Sequence, residues 1–331
     1  MPCYNPIDAW RSKDLHRINN RKWPLVFDIS QGVPETHMQI PCGQCIGCRL
    51  KRKRDWAIRM LHEAKLHENN TFVTLTYDDD HVPDGLDKTH FQLFMKRLRE
   101  HYEPHKFRFF ASGEYGERTD RPHFHAIFFG LDFADKYLWM VRKGFQLYRS
   151  DILESKWRYG NCPIAEVNYD TVAYVAKYTT KKITGPQADD YYEGKTPEFS
   201  LMSRRPGIGR AFYEKYKDDL YNYDHCVVRP DFIAKPPSYY DKLFDFESPD
   251  KFVSLKKRRK EKALEKASDN TPERLYHRNR FAKLKESRAI RSLENPLPAG
   301  DYIVDDSRDY DSIMPISTYG PHNNFTEEFD L

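Results

Sequence analysis

Arg121-Pro122-His123-Phe124-His125-Ala126-Ile127-Phe128-Phe129-Gly130 is the stretch on which the fold turns. It is short, apolar and aromatic and it ends in glycine, so residues 123–129 read as a β-strand. Successive side chains of a strand point to opposite faces. His123 and His125 therefore share one face, and Phe124 takes the other. Upstream, residues 107–112 read as a second strand. Gly113-Glu114-Tyr115-Gly116 and the polar residues 117–120 read as the hairpin loop between the two. A carboxylate there can turn back toward the paired imidazoles. Glu114, its direction set by the Gly-Glu-Tyr-Gly turn, is the preferred third donor, and Glu117 is the alternative.

Working outward, Phe72-Val73-Thr74-Leu75-Thr76-Tyr77 is a β-rich run closed by Asp78-Asp79-Asp80 and Pro83-Asp84-Gly85, which is turn chemistry. Residues 89–101 read as a helix with Phe91, Phe94, Met95 and Leu98 on one side. Ser150 caps a short helix ending near Trp157. Residues 163–167 form a strand, and Asp170 opens a helix to about Lys182. Residues 49–69 read as a basic helix with an apolar stripe of Trp56, Met60 and Ala64, joined by Ala57 and Leu61. Strands neighbour one another as hairpins rather than as βαβ units. The expected class is α+β: a central antiparallel sheet with flanking helices packed on one face. Around it the chain divides into an irregular Cys-rich segment (1–48), a core (49–185), an accessory helix and loop region (186–250), a basic helical arm (251–290) and an acidic, disordered tail (291–331).

Charge sorts the same way. The net charge is only +4, but residues 49–59 hold six Lys and Arg against one Asp, and residues 251–290 hold fourteen against five acids. Residues 300–331 reverse this, with eight acids and one Arg. Basic blocks of this kind suit an anionic partner such as nucleic acid, although solvated charged faces have the same composition. The 22 Tyr and 21 Phe suit base stacking, and equally an aromatic core. No apolar run reaches the length of a membrane span, and the N-terminus carries no apolar signal region, so the expected setting is cytosolic with no membrane partner.

Two further motifs carry chemistry. Tyr174-Val175-Ala176-Lys177-Tyr178 sits on the helix that Asp170 opens, and residues four apart on a helix share a face. Tyr174 and Tyr178 then project together, beside Lys177. A phenol titrates near 10, so as a nucleophile it needs nearby positive charge. Lys177 supplies that, as does a divalent cation on His123, His125 and a carboxylate. A carboxylate in the ligand set suits Mg²⁺ or Mn²⁺. Paired His ligands and paired Tyr nucleophiles are what a metal-dependent enzyme needs to break a phosphodiester and keep the phosphate covalently. Cys42, Cys45 and Cys48 are spaced C-x₂-C-x₂-C, with Cys3 as fourth thiolate or His37 in its place. This suits a structural Zn²⁺; an iron–sulfur cluster uses similar spacing.

The order Phe72–Tyr77, Arg121–His125, Tyr174–Tyr178 resembles the three motifs of the HUH endonucleases, the rolling-circle replication initiators. More narrowly the chain is similar to the initiators of gokushovirus-like microviruses, small single-stranded DNA phages. Residues 41–49, the Gly113–Glu117 stretch and the Met-Pro-Cys start add to the match, which covers roughly residues 1–185. The resemblance implies a site-specific nickase and ligase acting on single-stranded and duplex viral origin DNA in the host bacterial cytoplasm, with host polymerase and helicase as further partners. It implies His123 and His125 as metal ligands, Tyr174 as first nucleophile, Tyr178 as second and Lys177 as helper; the third ligand is less uniform across the family, so Glu114 rests on the reading of the residues alone. Competing readings are a relaxase or transposase of the same chemistry, and a zinc-bearing nucleic-acid-binding protein without catalysis.

Overall fold

The computed structural model of the chain describes residues 3–14, 23–116, 119–142, 144–179, 187–230, 232–265 and 267–294, with backbone alone at some of them, Tyr178 included. Glu117, Lys182 and the acidic tail beyond residue 294 lie outside the described residues. In chain order the elements are β1 (Ile7–Ser12), β2 (Leu25–Val26), β3 (Gly32–Ile40), α1 (Ile46–Ala64), β4 (Asn70–Leu75), α2 (Lys88–His101), β5 (Arg108–Tyr115), β6 (Pro122–Phe129), β7 (Tyr137–Arg142), β8 (Phe145–Arg149), α3 (Asp151–Trp157), β9 (Ile164–Glu166), α4 (Tyr169–Tyr178), α5 (Gln187–Tyr192), β10 (Phe199–Met202), α6 (Arg210–Asn222), β11 (Cys226–Arg229), β12 (Phe232–Ala234), α7 (Ser238–Glu247), α8 (Pro249–Glu265) and α9 (Pro272–Glu294).

The described residues form two compact units. Among the described residues, one comprises those up to Lys51 and those from Lys256 to Glu294. It holds an antiparallel sheet of order β2-β1-β3, the end of α8, and α9. The expectation of an irregular N-terminus is therefore wrong. β3 hides in the sequence because its apolar alternation is weak and Pro34 interrupts it. It lies at the sheet edge, where a strand tolerates proline. The C-terminal stretch is helical, as its charge pattern suggested.

The other unit, Arg52–Leu255, is built on a seven-stranded sheet of order β10-β5-β6-β4-β9-β8-β7, antiparallel throughout. Side-chain parity divides it cleanly. Val73, Leu75, Phe109, Ala111, Phe124, Ala126 and Phe128 face α2 and α3, where Phe91, Phe94, Leu98 and Trp157 meet them. Phe72, Phe110, Ile127 and Phe129 face α1 and α4, against Met60, Val172, Val175 and Ala176. Helices thus cover both faces, not one. The reason is legible after the fact: β6 carries large apolar residues on both parities and every one of its residues is buried, the signature of a two-sided strand. Each such Phe contributes roughly 2 kcal/mol by leaving water. A third cluster gathers Tyr213, Leu220, Tyr240, Phe244 and Leu255 of α6, α7 and α8 around Ile58 of α1.

β5 runs three residues further than expected. Gly113, Glu114 and Tyr115 are strand, not turn, and they pair with Phe124, His123 and Pro122. Gly113 permits this: a Cβ there would stand 3.0 Å from the Phe124 ring. The hairpin turn comes later, closed by Gly116 N–H donating to the Arg121 carbonyl at 2.9 Å.

β4 is prolonged past Leu75 by Thr76 N donating to Asn161 O (3.1 Å) and Asp78 N to Tyr159 O (2.8 Å). Between those partners Gly160 has φ +152°, and a Cβ on it would lie 2.6 Å from Asp78 N and 2.7 Å from Thr76 O. Backbone atoms cannot yield as a side chain does. Gly160→Ala is expected to cost at least about 2 kcal/mol of unfolding free energy in a urea titration; a loss within error of zero would show the loop is free to move.

His62 is buried in the third cluster, stacked on Phe212 (3.8 Å between centroids, 14°) with its Nδ1 3.1 Å from the Tyr240 hydroxyl. Burial, helped by the Lys65 charge, pulls its pKa from 6.5 to about 3. Between those values the unfolded chain holds a proton that the folded one refuses. Stability from this group is complete above about pH 6.5 and is lost as pH falls toward 3, on the order of a few kcal/mol in all. His62→Phe keeps the stack and removes the titration, so its stability should fall less steeply than that of the wild type across that window.

Candidate active site

Three side chains converge on the α1/α4 face of the sheet. β5 and β6 are in register so that Glu114 stands directly opposite His123, and Ser112 opposite His125. Directly opposed residues on an antiparallel pair share a face and nearly touch. Glu114 Oε1 lies 2.9 Å from His123 Nε2 and 2.8 Å from His125 Nε2. All three residues are at most 3% exposed. Glu114 owes its direction to this pairing, not to a Gly-Glu-Tyr-Gly turn.

The far sides of the rings are also held. His123 Nδ1 is 3.1 Å from the Arg121 carbonyl, and His125 Nδ1 is 3.0 Å from Thr74 Oγ1. A carbonyl only accepts, so His123 Nδ1 carries the hydrogen; in the Nδ1–H tautomer the ring then turns a bare Nε2 lone pair toward a carboxylate oxygen. A donation from His125 Nδ1 to Thr74 does the same for the second ring. Lone pairs meeting an anionic oxygen at 2.8–2.9 Å repel unless a proton or a cation stands among them. Neighbouring donors about 2.1 Å from an octahedral ion are themselves about 3.0 Å apart. The donor set and its spacing thus fit one divalent cation, and the three ligand atoms lie within 4.8 Å of one another.

α4 crosses the same face. Its start is fixed by a reciprocal cap, Asn168 Oδ1 accepting from Thr171 N and Thr171 Oγ1 from Asn168 N. Buried Val172, Val175 and Ala176 anchor it to the sheet. Tyr174 is thereby laid edge-on against His125, ring centroids 4.9 Å apart at 78°. Lys177 is half-buried three residues on. Tyr178 ends the helix, and its side chain is outside the described residues. Sequence reasoning missed Lys53 of α1. Burial first, and then the charge of Lys177, lowers its ammonium pKa, with Asp170 opposing. It also missed Thr74 and Ser112, although the i, i+2 rule applied to their strands marks them.

Residues 70–183 match the family described as replication-associated protein ORF2/G2P. The chain is 33% identical over 280 residues to replication-associated protein VP4 of Bdellovibrio phage phiMH2K, covering 81% of this chain and 84% of that one. It is 31% identical over 271 residues to replication-associated protein ORF2 of Spiroplasma virus 4, covering 76% and 83%. This chain belongs to the microvirus-like phage replication-associated proteins. No solved structure matches it. Membership of this family favours a replication initiator over a relaxase or transposase.

In the unit that holds β1 to β3, this family member gathers a second donor group. Cys3, Cys42, Cys45 and Cys48 place their sulfurs within 4.8 Å of one another, without a disulfide. Cys3 Sγ is 3.5 Å from Cys42 Sγ and 3.7 Å from Cys45 Sγ. The edge of a thiolate tetrahedron around an ion at 2.3 Å is about 3.8 Å. Backbone amides of Tyr4, Cys42 and Cys45 donate to these sulfurs at 3.2–3.3 Å. Burial acts to raise the Cys45 pKa, but amide and thiol donors prevail and draw it down to about 6. The group fits one metal ion. His37, the alternative fourth ligand, is instead hydrogen-bonded to Asp8 at 2.9 Å. Among the described residues no helix is long and apolar enough to cross a membrane.

Proposed function

We propose that this protein is the initiator nuclease of rolling-circle replication, cutting one strand of viral origin DNA through a 5′-phosphotyrosine and later rejoining strands. The observation that carries the reading is Tyr174 lying edge-on to His125, whose Nε2 shares one carboxylate oxygen with His123. Glu114, His123 and His125 hold the divalent cation, Mg²⁺ or Mn²⁺. When bound, that ion draws charge from the scissile phosphate. Tyr174 Oη attacks phosphorus. The Oη–P bond forms as the P–O3′ bond breaks, the phenol proton leaves to solvent, and the departing O3′ takes one up. Lys177 favours the phenolate and holds developing negative charge on the phosphate.

The freed 3′ hydroxyl is what host polymerase extends, on a duplex that host helicase opens, in the bacterial cytoplasm. Tyr178, four residues on, is the second nucleophile: it cuts the regenerated origin, and the new 3′ hydroxyl displaces Tyr174 to close a circle. Single-stranded and duplex origin DNA are the substrates. Cys3, Cys42, Cys45 and Cys48 hold a structural Zn²⁺.

On origin single strand with Mn²⁺, the wild-type chain should give a covalent adduct on a denaturing gel. Tyr174→Phe should lower its formation by about 10³-fold or more. Mass spectrometry of the trapped adduct names the nucleophile, and a phosphate found on Tyr178 in the first turnover would reverse the two roles. Elemental analysis should find one zinc per chain, absent from Cys42→Ser, and chelation should lower the melting temperature of the wild type and leave that variant unmoved. Wild-type protein carrying no zinc would remove the structural ion from the account.

A further inference from the structure

Ser112 carries a buried hydroxyl on the site face that the arrangement described above does not use. It is 1% exposed, and its Oγ has no hydrogen-bond partner among the described residues. Its place is specific. On β5 it stands two residues before Glu114, on the same face, and directly opposite His125 of β6. Its other cross-strand neighbour, on β10, is Ser200. With Thr74 opposite His125 on β4, the row Ser200, Ser112, His125, Thr74 is a polar line crossing four strands beneath the carboxylate. The adjoining row on this face is apolar, with Phe72, Phe110 and Ile127. A sheet that fills one row with Phe and Ile has no packing need for serine in the next. Buried hydroxyls are ordinarily satisfied by protein or by ordered water.

Three protein donors leave an octahedral ion three positions, and Mg²⁺ in particular gives up its waters reluctantly. We propose that Ser112 is a positioning residue of this site: its hydroxyl hydrogen-bonds a water of the hydration shell of the divalent cation held by Glu114, His123 and His125. The inference rests on that trio being the cation's ligands. Ser112 acts on the ion through water, as an outer partner that sets affinity and the orientation of the remaining positions. Such partners commonly change metal affinity by 10–100-fold when lost.

The test is a titration of the full chain with Mn²⁺ alone, free ion being read by electron paramagnetic resonance. Wild type, Ser112→Ala, Ser112→Thr and His125→Ala are compared, each with its metal-free melting temperature. The Mn²⁺ bound by wild type and lost in His125→Ala defines the site. Ser112→Ala should bind that ion about tenfold more weakly, with a metal-free melting temperature no lower than wild type, because it deletes an unpaired hydroxyl and no contact. Ser112→Thr, which keeps the hydroxyl on a β-favouring residue, should restore the affinity. Wild-type affinity in Ser112→Ala, with the His125-dependent ion still present, overturns the role of Ser112 alone. So does a Ser112→Thr variant that folds yet binds as weakly as Ser112→Ala. Absence of any His125-dependent Mn²⁺ from the wild type overturns the ligand trio, and this inference with it.

Discussion

The register of β5 against β6 is the constraint on which everything else depends. It places Glu114 opposite His123 and Ser112 opposite His125. A slip by one residue would turn both imidazoles into the aromatic core under α2 and α3, and would push Phe124 and Phe128 onto the other face. The packing resists that slip. Phe124 has room for its ring only against Gly113, whose missing Cβ would otherwise stand 3.0 Å away. The site is thus specified by its apolar reverse side: the same strands that bury Phe124 beside Phe91 and Trp157 present His123 and His125 on the face beneath α4.

Burial gives the polar trio its chemical character. In a medium of low polarity a carboxylate is costly unless protons or a cation answer it, and Glu114 meets the two imidazoles on their side of the site. The arrangement is a preformed demand for positive charge at one point. α4 brings a phenol to that point, anchored by its cap and by buried Val172, Val175 and Ala176. Lys53 and Lys177, from two helices on that face, are near enough for one charge to depress the ammonium pKa of the other. An anion placed beside them would relieve that repulsion, which is electrostatically what a phosphodiester backbone offers.

The two donor groups differ in a way that matches different uses. Four sulfurs around one ion would fill a tetrahedron and leave no position for substrate, so a site built from the cysteine group would be closed. Two imidazoles and one carboxylate leave positions open. The sulfur contacts bring Cys3 to Cys42 and Cys45, just before α1, and to Cys48 in its first turn.

Much of this was legible in the amino-acid order. The strand of His123 and His125, the helix of Tyr174 and Lys177, and the C-x₂-C-x₂-C spacing are local patterns, each set by the geometry of a single element. What failed to show was of another kind. Glu114 looked like a turn residue because Gly113 and Gly116 flank it, but the cross-strand fit of Phe124 keeps that segment extended. β1 and β3 looked irregular because their ladder lies in distant partners and not in their own alternation. The second helical layer was invisible because large apolar residues on both parities of β6 do not say what covers each side. The sequence by itself determined which side chains share a face, since that follows from the two-residue and 3.6-residue repeats of the backbone. Only the tertiary structure decided which faces meet, seating Tyr174 on His125 and Glu114 between two imidazoles, because register and helix docking are settled by packing between residues far apart in the chain.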